Sequence, residues 1–185
     1  AVRGGDPAQV RALLSARADP DVLGHGGATA AALAVHQGTP HRVLLALLEA
    51  KADVGARDGQ GRSLAHLWSW NLVKSRSGLH QEELKLAHLA RHGADLNAAM
   101  PPSGDTPLHI LARVLNAFRR GAAGDGDPRL GNLAAAGAAA ESAAAHSEKF
   151  AAATERRLTL LVGAGADVGA RNARGQRPLD LVDPR

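Results

Sequence analysis

Apolar positions along the chain come in short bursts, each closed by the same small landmark. Val10, Leu13 and Leu14 precede Ala18-Asp19, and Leu84, Leu86 and Leu89 precede Ala94-Asp95. Residues three or four apart share one face of a helix, so each burst predicts a short amphipathic helix that stops at a turn. The landmark recurs as Ala52-Asp53 and Ala166-Asp167, which gives successive spacings of 34, 42 and 72 residues. A unit of about 33 residues, interrupted twice, accounts for all three. The duplication is plainest in Ala52-Asp53-Val54-Gly55-Ala56-Arg57, which returns letter for letter as Ala166-Asp167-Val168-Gly169-Ala170-Arg171, each followed by a glycine at Gly61 and Gly175.

The units also begin alike. Gly104-Asp105-Thr106-Pro107-Leu108-His109 aligns with Gly61-Arg62-Ser63-Leu64-Ala65-His66, with Gly27-Ala28-Thr29-Ala30-Ala31-Ala32 and with Gly175-Gln176-Arg177-Pro178-Leu179-Asp180. Glycine permits a positive φ in a turn, Thr or Ser caps a helix N-terminus, and proline fits the first helical turn. An apolar helix follows each start, then Gly or Asn, then a second apolar helix ending in Gly-Ala-Asp or a near variant. Thr29-Ala30-Ala31-Ala32 and Arg177 depart from the pattern and predict weaker caps.

Turn, helix, turn, helix and a return hairpin in about 33 residues, with Thr106-Pro107-Leu108-His109 and Gly93-Ala94-Asp95-Leu96-Asn97-Ala98 as the best copies, resembles the ankyrin repeat. The resemblance implies an all-α fold, a solenoid of stacked helix-turn-helix units with β-hairpin-like turns. It also implies that His66 and His109, at the family's histidine position, bond backbone groups between neighbouring units. One domain over residues 1–185 is expected, with units at about 1–21, 22–55, 56–97, 98–169 and 170–185. The first and last are partial, and the expectation is a piece of a longer polypeptide, since terminal repeats normally carry polar caps. About nine extra residues lie near Leu72 to His80. A larger insertion covers 115–152, with a turn-rich piece from Gly121 to Gly131 and an alanine-rich run from Leu133 to Ala153. Alanine's helix propensity makes that run a backward extension of the unit's second helix, against the alternative of a flexible surface insertion.

Composition narrows the chemistry. Hydrophobic residues are 45% of the 185 but aromatics only 2%, with no Tyr, so the core must be built from Ala, Leu and Val. With no cysteine there are no disulfides or thiolate sites, and no stretch approaches the roughly 18 apolar residues of a membrane span. The net charge of +4 rests on 18 Arg and 4 Lys, scattered without a run of five, which makes the nucleic-acid signal weak. Cytoplasmic localisation is expected.

Glycine clusters at Gly24 to Gly27, Asp58 to Gly61 and Gly163 to Gly165 lack a following Lys-Ser/Thr, and they recur in register with the units as turns do. His88 and His92 have the i, i+4 spacing of metal ligands but no third partner at a telling spacing. Ser63 with His66, and Thr106 with His109, read as helix caps rather than as a nucleophile with its base. No cofactor, metal or small-molecule substrate is therefore expected.

Trp68 and Trp70 stand two apart on one helix and point about 200° apart, so both cannot face the core. Trp68 shares its column with Ala34, Leu111 and Val182, and Trp70 with His36 and Arg113. Trp70 is thus read either as an exposed binding hot spot or as a half-buried ring covering the loop near Leu72. The resemblance implies that hairpin tips make partner contacts, here His25, Gln60, Arg62, Asp105, Arg174 and Gln176. The functional expectation is a protein-protein interaction module that holds a partner protein, favourably an acidic one, by its concave groove, with Trp70, His36 and Arg113 as candidate contacts there, and by its tips. The alternative is the target-recruiting domain of a larger enzyme such as a secreted bacterial effector acting in the host cytoplasm. Neither nucleic acid nor membrane is an expected partner.

Overall fold

A computed structural model of the chain describes residues 1–36, 39–71, 79–119 and 143–182. Within them the protein is all-α. The helices are α1 (Pro7–Ser15), α2 (Ala30–His36), α3 (His41–Glu49), α4 (Leu64–Trp70), α5 (Leu79–Arg91), α6 (Pro107–Arg119), α7 (Ala143–Gly163) and α8 (Pro178–Val182), with short 3-10 turns at Val2–Gly4 and His25–Gly27. The extended pairings among the described residues are two isolated bridges, Arg57 to Ser63 and Met100 to Asp105.

Local chemistry sets where the helices start. Asp6 caps α1, its carboxylate accepting from the Ala8 N–H, and Pro7 occupies the first turn. Thr29 caps α2 through Ala32 N–H at 3.2 Å, so this departure from the motif still caps. Ser63 and His66 form a reciprocal capping box on α4. At α8 the roles reverse: Arg177 offers no capping oxygen, and the Asp180 carboxylate instead accepts from the Arg177 N–H at 2.8 Å.

The ends of α1, α3, α5 and α7 share one geometry. Ala18, Ala52, Ala94 and Ala166 donate their N–H to the carbonyls of Leu13, Leu47, Leu89 and Leu161. The residue before each alanine has a positive φ: Arg17 at 63°, Lys51 at 64°, Gly93 at 82° and Gly165 at 105°. This is the Schellman closure, which satisfies the last helical carbonyls. Four tight turns lead into the next first helix, closed by Gly24 N–H to Ala28 O, Asp58 N–H to Arg62 O, Met100 N–H to Asp105 O and Asn172 N–H to Gln176 O.

Packing runs in two rows. Helix α2 lies against α4, α4 against α6 and α6 against α8; beside them α1 lies against α3, α3 against α5 and α5 against α7. The rows meet where α2 touches α3, α4 touches α5 and α6 touches α7. One continuous core results, including Ala31, Ala34, Val35, Leu44, Leu47, Leu64, Trp68, Leu89, Leu111 and Leu161. Alanines on α2 let neighbouring backbones approach closely, and Trp68, fully buried, supplies the bulk that an aromatic-poor core otherwise lacks. Leu13, Val22 and Leu23 near one end, and Val162, Val168 and Leu179 near the other, remain exposed.

Helix α6 runs on to Arg119, with Leu115 and Asn116 buried, so the first residues of the expected 115–152 insertion belong to α6. Its last residues belong to α7. Residues 120–142, including the turn-rich piece and most of the alanine run, lie outside the described residues, as do 72–78 of the smaller insertion. Among the described residues no helix is long and apolar enough to cross a membrane.

Candidate functional site

The tight turns fix where the candidate contact residues stand. At the turn over 58–62, the Asp58 carboxylate accepts from the N–H groups of Gln60 (2.9 Å) and Arg62 (3.0 Å) and from Arg62 Nε (2.7 Å). Burial would raise that carboxyl. The Arg62 side-chain bond, the two backbone bonds and the Arg62 charge outweigh it and hold Asp58 below the usual carboxylate range. Arg62 is thereby half-buried and committed to its own turn, while Gln60 is exposed. The equivalent turn at 172–176 uses Asn172, whose Oδ1 accepts from the N–H groups of Arg174 and Gln176, both at 3.0 Å. Arg174 is exposed and Gln176 is half-buried.

Asp105 is not a free tip residue. It is 4% exposed, its carboxylate lies 3.2 Å from Arg113 Nε and accepts from Asn172 Nδ2 at 2.9 Å, and its carbonyl accepts from His66 Nε2 at 2.9 Å. Arg113 is half-buried against it. Trp70 is half-buried too, packed on the core with its Nε1 shielded from water and without a partner among the described residues. The loop it was expected to cover, 72–78, lies outside the described residues. The side chains of His25 and His36 do so as well. Of the nine candidates, Gln60 and Arg174 remain as exposed tip side chains, and the rest with described side chains are tied to the scaffold.

The motif histidines do repeat one task. His66 Nδ1 accepts from the Ser63 N–H and hydroxyl, and its Nε2 donates to Asp105 O, 39 residues on. His109 Nδ1 accepts from the Thr106 N–H and hydroxyl, and its Nε2 donates to Gln176 O at 2.8 Å, 67 residues on. Each imidazole therefore caps its own helix and bonds the turn that precedes the next helix of its row. Desolvation by burial pushes His66 below the ordinary histidine value; the bond to Asp105 O opposes this, and the Arg57 charge reinforces it.

The chain matches no family model and no curated protein.

Sequence reasoning passed over Arg57 and Arg171, although both close the duplicated hexapeptide. Their guanidinium groups donate to Gly61 O (2.8 Å) and Gly175 O (2.7 Å), and Arg57 also donates to Ala99 O (3.1 Å), so each staples a turn while staying exposed. Asp58 and Asn172 were equally legible, each three residues ahead of the turn glycine. His88 and His92 do not gain a metal-like partner: among the described residues no group of three or more His, Asp or Glu side chains could hold a metal ion.

Proposed function

We propose that the chain is an ankyrin-type repeat module that binds another protein along the edge formed by its tight turns. The observation that carries this reading is the recurrence of one inter-unit bond, His66 to Asp105 O and His109 to Gln176 O, each with the same Ser/Thr cap. Such repetition makes a stiff frame in which neighbours hold each turn in place. A frame of that kind spares the ordering entropy of binding, so side chains on it need supply less interaction energy.

Binding falls to the side chains that the frame leaves outside, chiefly Gln60, Arg174, Arg57 and Arg171. Three of these four are cationic, which favours a partner with acidic patches and gives electrostatic steering that salt weakens. Asp105, Arg113 and Arg62 act one layer further in, holding the turns.

The test is affinity capture with the whole chain, followed by affinity measurement on the captured protein with a Gln60→Glu, Arg174→Glu double variant. Neither side chain anchors a turn, so the variant should melt at the wild-type temperature and bind at least about tenfold more weakly, a loss of about 1.4 kcal/mol. Unchanged affinity would reject this edge as the binding surface.

A further inference from the structure

Away from the turns, the outer row of helices holds a pair of facing histidines. His41, the first residue of α3, stacks on His88 of α5 with ring centroids 5.6 Å apart and an interplanar angle of 21°. His41 is oriented by Gln81, whose Oε1 accepts from both the His41 N–H (3.1 Å) and Nδ1 (2.8 Å). That bond places the His41 proton on Nδ1 and fixes the ring against its neighbour. The His88 Nε2 is shielded from water and has no acceptor, so a proton added there would find no partner.

We propose that the stacked His41–His88 pair is an acid-sensitive joint between α3 and α5. While the rings are neutral they stack; a proton added to His88 puts a charge with no partner among the described residues into the contact between the two helices. The surroundings add to the bias. His88 faces His41 and Glu49 from α3, and Arg91 and His92 from its own helix. Burial is the main cause that pushes it below the ordinary histidine value; His41, His92 and Arg91 act the same way and Glu49 opposes them. The other helices on α5 add little charge here. Helix α4 carries His66, which is bonded to Asp105 O, and α7 turns Arg156 and Arg157 toward Glu83 and Glu82. A neutral-favouring site binds fewer protons folded than unfolded. The joint therefore has its full strength above the ordinary histidine value of about 6.5 and loses it as pH falls below. Because α3 and α5 belong to successive units of the outer row, loosening them alters how those two units are set against each other.

Hydrogen exchange on the full chain at about pH 7.5 and 5.5, corrected for intrinsic rates, tests this. Wild-type protection in α3 and α5 should fall about tenfold between the two conditions. His88→Phe keeps a ring on His41 but cannot take the proton, and should hold protection there within about twofold. Should that variant fail to fold, His41→Phe makes the same test from the other ring. An acid loss as large in the phenylalanine variant as in wild type would overturn the proposal. So would wild-type protection that ignores pH, or a loss spread evenly over α2, α4, α6 and α8.

Discussion

Two buried polar clusters in this protein are built on opposite principles. Around Ser63–His66 and Thr106–His109 every group is neutral, all four residues are at most 6% exposed, and each ring nitrogen has a partner. Where α4, α5 and α7 meet, three charged side chains are buried instead: Glu82 at 1%, Lys85 at 0% and Arg157 at 3% exposure. Lys85 Nζ lies 3.4 Å from Glu82 Oε1, Arg157 Nη2 lies 3.7 Å from Glu82 Oε2, and the guanidinium sits 5.1 Å from the Trp68 ring centre while donating to Trp68 O. The neutral cluster is repeated because its motif is repeated. The charged one occurs where the helix after the large insertion docks. A neutral hydrogen-bonded network tolerates low dielectric at little cost, whereas buried charges gain only if their mutual attraction offsets desolvation.

The contrast breaks most severely at Glu82. Glu82→Gln leaves two cations without a buried carboxylate between them and should cost about 3–5 kcal/mol, read by denaturant unfolding. Replacing all three together, Glu82→Leu with Lys85→Met and Arg157→Met, removes the charges rather than stranding them, so most of the stability should return. If the triple variant is as unstable as the single one, packing and not charge governs this junction.

The neutral side is sharpened at the turns its histidines hold. Gly104 has φ 67°, and a Cβ there would lie 2.7 Å from the Ala173 backbone nitrogen of the neighbouring turn. Gly104→Ala should therefore cost about 2 kcal/mol, through both the left-handed backbone and a forced shift of the next turn. Gly175, φ 73° but with nothing near its Cβ position, provides the control, and Gly175→Ala should cost only about 1 kcal/mol. Equal losses would mean that the two turns are not held against each other.

A pH titration distinguishes the clusters next. His66 is pushed below its ordinary value by burial, so the unfolded chain binds the proton more readily. Stability carried by His66 is then complete above about pH 6.5 and declines as pH falls through the folded value, with a slope of at most about 1.4 kcal/mol per pH unit for one proton. His66→Asn should flatten that limb of the stability curve measured from about pH 7.5 to 5. A limb left unaltered would assign the acid sensitivity elsewhere.

Much of the frame was legible because apolar spacing and turn residues act locally. Gly93 and Gly165 announce helix ends, and Ser63 and Thr106 announce helix starts. Yet Arg17 and Lys51 adopt the same left-handed conformation without glycine, so the backbone bonds to Leu13 O and Leu47 O that close these ends do not require it. The candidate surface was less legible. Hydrophobic period reports which positions leave water but not which polar groups meet. Asp105 and Asn172 are 67 residues apart in sequence, and Arg113 looked free until the carboxylate beside it was located. Trp70 carried two readings for the same reason: how far its face is covered is set by what stands against it. The buried Lys85 and Arg157 gave no signal, since a charged residue on a helix ordinarily marks the solvated side.

The smallest expected effect lies one residue from a buried member of the charged cluster. Arg156 and Arg157 are neighbours on α7 and each faces a glutamate of α5, but the Arg156 side chain is 62% exposed and its pair with Glu83 spans 2.7 Å, whereas Arg157 is at 4%. The shorter bond is the weaker contributor. In water the attraction is screened and two long side chains must be ordered to make it, so Arg156→Ala should change stability by less than about 1 kcal/mol. Its neighbour loses stacking on Trp68, a bond to Trp68 O and the charge beside Glu82, so Arg157→Ala should cost several times more. Unfolding curves for the two variants, measured also in about 0.5 M salt, separate the causes: screening should erase the small loss and leave the large one nearly intact. A larger loss at the 2.7 Å pair than at the 3.7 Å pair would show that distance, and not burial, decides what an ion pair contributes at this junction.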